Sequence, residues 1–134
     1  MLNTITERKQ FVADMMKLLK SKFDLSDTQI FVFGSFLTDD FVPEKSDIDI
    51  GIYSDNETKM YDIQYELVQY LNKVGIKFDI VIMTLSDKLL INIPIMIYGT
   101  SFTNYDNAKL LPYLKSMVDR YGFIEKGLSV SAYE

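Results

Sequence analysis

The chain has 134 residues, a hydrophobic share of 48%, a charged share of 25% and a formal charge of -5, which fits one ordinary globular domain with a sizeable core. It holds neither cysteine nor histidine. That excludes disulfides, thiolate zinc sites, cysteine nucleophiles, Ser-His-Asp hydrolysis, HExxH zinc hydrolysis and His-dependent ribonuclease chemistry. Chemistry must run on carboxylates, hydroxyls, lysines or a hard metal, and the acidic balance argues against direct nucleic-acid binding.

Glu7, Arg8 and Lys9 precede any sustained apolar stretch, which is not the layout of a secretory signal. The longest apolar run, Leu89 to Tyr98, contains Asn92 and Pro94 and is far short of the ~20 residues that span a bilayer. The expectation is a cytoplasmic protein without a membrane segment.

Thr4 to Glu7 has capping-box form, and Phe11, Met15 and Leu18 with Val12, Met16 and Leu19 continue at helical spacing to about Lys22. This predicts a first amphipathic helix, with its methionines as core filler. Gln29 to Phe33 is short, apolar and β-prone and ends at Gly34, so a buried strand should run into a tight turn, with Ser35 capping a short helical turn.

Residues 39 to 46 are polar and aperiodic and include Asp39, Asp40, Pro43, Glu44 and Lys45, a loop of solvated charges. Asp47 to Tyr53 alternates, with Ile48, Ile50 and Ile52 on one face and Asp47, Asp49, Gly51 and Tyr53 on the other. Ser54 to Glu57 again has capping-box form, ahead of Met60, Ile63, Leu67, Leu71 and Val74 and a stop at Gly75. Tyr61, Tyr65 and Tyr70 are read as spread over different sides of this second helix, for partial burial or a partner surface.

Lys77 to Met83 alternates once more and sets Asp79 on one face. Ser86 to Tyr98 reads as partly helical with a break at Pro94, Thr100 to Tyr105 as a short edge strand, Leu110 to Tyr121 as a final helix, and the residues from Gly122 as a tail. With no repeat or linker, residues 1–134 form one domain of α/β (α+β) type, a small mixed sheet of three to four strands with helices packed on it.

Carboxylates two residues apart on a strand point the same way, with α-carbons about 6.6 Å apart. A strand-helix-strand crossover returns close to its starting strand, which brings Asp79 beside Asp49. Three converging acids raise one another's pKa until a cation joins them. Oxygen-only ligands suit magnesium or manganese, completed by water and substrate phosphate. Gly34 lets a backbone approach phosphate closely, and amides at the start of a following helix attract anions.

Gly34-Ser35, then Ser46-Asp47-Ile48-Asp49, then Phe78-Asp79-Ile80-Val81 together resemble the DNA polymerase β-like nucleotidyltransferase superfamily. The short length is similar to its minimal nucleotidyltransferase domains, often encoded beside a helical HEPN partner. The resemblance covers roughly residues 29 to 106, with Ile97-Tyr98-Gly99 and Phe102 to Asp106 similar to the closing segment.

The resemblance implies transfer of AMP from ATP to a protein or small-molecule hydroxyl, in some members as the antitoxin of a toxin-antitoxin pair. By position it implies that Asp47, Asp49 and Asp79 are the catalytic and metal-binding residues, Asp79 helping to activate the acceptor hydroxyl, and that Gly34, Ser35 and Ser46 bind nucleotide. The chain departs from the family where Phe36-Leu37-Thr38-Asp39 follows Gly34-Ser35 in place of a small residue, an arginine and a glycine. The eleven residues from Phe36 to Ser46 also make the spacer one longer than usual, and Lys45 is the loop cation at hand. The alternative is therefore a catalytically weak or inactive module of the same fold that acts by binding a helical partner. In either case, with little chain after Tyr121, the acceptor surface is expected to come from a second chain, a HEPN-type partner or another copy.

Overall fold

A computed structural model describes residues 2–83 and 99–103. Helix α1 (Ile5–Lys22) opens on the capping box its sequence predicts, the Glu7 amide donating to Thr4 Oγ1 and the Thr4 amide to Glu7 Oε1, each at 3.1 Å. These bonds satisfy two of the amides that a helix start leaves without intrahelical partners. The helix buries Val12, Met15, Met16 and Leu19 as expected, and also Arg8, a charged residue on the same stripe.

Strand β1 (Thr28–Phe33) and strand β2 (Ile48–Ser54) pair antiparallel, and helix α2 (Glu57–Val74) carries the chain over to strand β3 (Phe78–Ile82), which lies parallel to β2. A two-residue strand β4 (Thr100–Ser101) pairs with the other edge of β1, giving the order β3-β2-β1-β4. This is the mixed α+β sheet that the sequence predicts. The readings of residues 84–98 and 104–134, including the partial helix, the final helix and the tail, lie outside the described residues.

One face of the sheet is covered by the two helices. Ile48, Ile50 and Ile52 have no exposed surface and pack with Ile30, Val32, Leu19, Ile63, Leu67 and Leu71, each such burial contributing about 1.5–3 kcal/mol. The other face carries Phe31, Phe33, Tyr53, Val81 and Met83 as a second apolar cluster, together with the acids. Strict alternation along β2 divides the two faces.

The start of α2 corrects the expected capping box. Asn56, not Ser54, is the N-cap, its side chain accepting from the Lys59 amide at 3.2 Å. Ser54 ends β2, where its hydroxyl accepts from Thr28 Oγ1 and the Asn56 amide and donates to the Asp27 carbonyl. Buried against β1, it is already committed to the sheet. Gly75 stops α2 at φ +78, where its amide donates to Leu71 and Asn72 carbonyls.

Tyr61 and Tyr65 are also corrected. Being four apart on a helix they share one face, and both are exposed, at 50% and 64%, whereas Tyr70 packs against Phe11 with ring centroids 5.9 Å apart. Among the described residues, no helix is long and apolar enough to cross a membrane.

Candidate active site

The parallel register sets Asp49 directly beside Asp79, and the antiparallel register sets Asp49 beside Phe33, the residue before Gly34. Paired residues in a sheet share a face, so the Gly34 turn, Asp49 and Asp79 form one row across three strands, on the face away from the helices. Asp47, the first residue of the expected strand, stands one residue before β2 as it forms. It borders a groove of about 510 Å³ that runs past Asn72, Gly75 and Lys77.

Asp49 is the half-buried member of the row, while Asp47 and Asp79 are exposed. Its carboxyl is raised to about 6, by desolvation first and then by the like charges of Asp79 and Asp47. The three acids therefore feel one another, as charges in a common site do. Among the described residues, no three acidic side chains already stand so as to hold an ion between them. Magnesium commonly uses only one or two carboxylates and takes its other ligands from water and substrate phosphate. The oxygen-only donors and the charge conflict at Asp49 suit such an ion.

Gly34 has φ +71, and a Cβ built on it would run into the Asp49 carboxylate, with Asp49 Cγ at 3.2 Å. Only glycine admits both the turn and the acid. The expected short helical turn amounts to a single turn and no helix: the Thr38 amide donates to the Ser35 carbonyl at 2.9 Å, joined there by the Thr38 hydroxyl at 2.8 Å, and the chain then continues as loop. Phe36 turns into the core and is fully buried. Any anion here meets a turn and not a helix N-terminus.

Ser46 closes the end of this loop, its hydroxyl accepting from the Val42 amide at 3.0 Å and its amide donating to the Val42 carbonyl at 2.8 Å. Lys45 is exposed beside it, and among the described residues Glu44 is the one non-glycine residue with positive φ, at +72.

Arg8 is the residue that sequence reasoning missed. Its Nε donates to the Phe36 carbonyl at 2.6 Å, one terminal nitrogen to Thr38 at 2.9 Å and the other to Leu2 at 2.9 Å. The guanidinium lies 4.9 Å from the centre of the Phe41 ring. The signal was present: Arg8 sits four residues before Val12 on the buried stripe of α1, where a cation needs a dedicated partner.

A family model described as nucleotidyltransferase domain matches residues 13–100. No curated protein and no solved structure matches the chain.

Proposed function

The chain belongs to the nucleotidyltransferase domain family, and from that premise we propose that it moves AMP from ATP to a hydroxyl, with magnesium or manganese. One observation carries this reading: Asp49 and Asp79 stand side by side in register, with the Gly34 turn against the Asp49 carboxylate.

Asp47 and Asp49 would hold the metal, with Asp79 completing the set. A bound divalent ion would neutralise triphosphate charge and orient the attacking and leaving oxygens. Asp79, exposed at the edge of the row, takes the proton of the acceptor hydroxyl as its oxygen bonds to the α-phosphorus and pyrophosphate leaves. The missing side chain at Gly34 lets the Asp49 carboxylate lie against the turn, and Ser35 and Ser46 offer polar groups on either side of the loop. The Ser46 hydroxyl accepts from the Val42 amide and keeps its own proton to donate.

Titration calorimetry with ATP and magnesium tests the reading: the wild-type chain should bind, and D47A with D49A should not. No binding with any divalent cation sinks it. We further propose that the acceptor surface lies on a second chain, a helical HEPN-type partner in an antitoxin pairing, or another copy. Exposed Tyr61 and Tyr65 on one face of α2 support a partner surface. Labelled ATP incubated with both chains should then label the partner.

The loss of a helix after Ser35 favours a second reading, a weak or inactive module that acts by contact. In that case D47A with D49A still neutralises the partner.

A further inference from the structure

Arg8 combines three properties that rarely coincide. It is only 3% exposed, and among the described residues it forms no ion pair. It also sits in the first turn of α1, where the helix dipole opposes a cation. Desolvation and the dipole both weigh against the charge there. What offsets them is the loop after Gly34-Ser35.

The guanidinium presents its donors in a planar, fixed fork. Two of them reach carbonyls two residues apart, Phe36 and Thr38, and so set the curvature between those residues. Thr38 in turn donates its amide and its hydroxyl to the Ser35 carbonyl. A continuous hydrogen-bonded chain thus leads from Arg8 to Ser35. The ring of Phe41 closes over the guanidinium and meets Phe36 edge-on at 5.0 Å, so both ends of the bend are packed as well as bonded.

A neutral side chain would satisfy the carbonyls without supplying charge, and a lysine would supply charge without the fork. Because no carboxylate among the described residues pairs with it, the buried cation leaves a positive potential beneath the turn, which favours an anion on the other side. We propose that Arg8 is a positioning residue for the triphosphate: from behind the loop it fixes the Gly34-Ser35 turn and biases it toward phosphate, without touching the nucleotide. This rests on the nucleotide-binding reading of the site.

The test uses the full chain with R8K, R8Q and, as a control on the same helix face, V12A. Three quantities are measured: the melting temperature, the Kd for ATP with magnesium, and amide hydrogen exchange over residues 35–41 without nucleotide. Both Arg8 variants should exchange faster over 35–41 and bind ATP roughly tenfold more weakly, a loss of about 1.4 kcal/mol. V12A should lower the melting temperature and leave both the Kd and the loop exchange unchanged.

R8K retains the charge and serves where R8Q does not fold. Wild-type affinity in either Arg8 variant overturns the proposal, as does a V12A protein that loses affinity in proportion to its stability. If the wild-type chain binds no nucleotide, the functional reading falls and the triphosphate role falls with it. Exchange over 35–41 then still decides whether the clamp exists.

Discussion

The carboxylate of Asp49 fills the space that a side chain on Gly34 would need, with Asp49 Cγ 3.2 Å from where that Cβ would stand. The turn and the acid are thereby fitted to each other. G34A must both adopt φ near +71, at about 1–2 kcal/mol for an L-residue, and push the carboxylate aside. The expected outcome is a lower melting temperature and weakened ATP binding. Calorimetric affinity equal to wild type would show that the fit is incidental.

Asp49 gives the chain a pH signature. Its folded carboxyl is raised to about 6 from an ordinary 3.8, so between these values the unfolded chain releases a proton that the folded chain keeps. The related stability is full below about 4 and is lost as pH rises through about 6. The effect is on the order of 1 kcal/mol once the half-exposed position is discounted for screening. D49N should flatten this slope in metal-free melts, and D79N should lower the Asp49 midpoint in a carbon-13 carboxyl titration. An unmoved midpoint would remove Asp79 as a cause.

Asp79 and Asp47 should separate kinetically. D79N leaves Asp47 and Asp49 in place and should bind ATP with near wild-type affinity while transfer falls by roughly 100-fold, the usual loss for a proton acceptor. Equal losses in binding and transfer would instead make Asp79 a nucleotide-holding residue.

The cap of α2 lies at Asn56, so N56A should cost about 1 kcal/mol in denaturant unfolding and leave ATP affinity unchanged. S54A should also destabilise, through the bonds that tie β2 to Asp27 and Thr28. If S54A alone destabilises, the cap is at the position the sequence pattern suggested.

Tyr61 and Tyr65 offer a direct test of the partner surface. Replacing both with serine should leave folding and ATP binding intact, because neither is buried, and should weaken association with a helical partner measured by calorimetry. Undiminished association places the contact elsewhere on the chain.

Local pattern determined much of this protein on its own. Alternation in β2 and β3 separated the isoleucines from Asp49 and Asp79, the crossover through α2 made those acids neighbours, and Thr4, Glu7 and Gly75 marked helix ends, since each depends on residues close in sequence. The family pattern was legible for the same reason. What only the tertiary structure decided depends on distant partners. Ser54 is drawn from helix capping into the sheet by Asp27 and Thr28, and the carbonyls of Phe36 and Thr38 bond to Arg8 on a distant helix. Arg8 is buried because carbonyls 28 and 30 positions away receive its donors. A periodicity can say which residues face inward, but whether a buried charge is satisfied depends on what the fold brings to meet it.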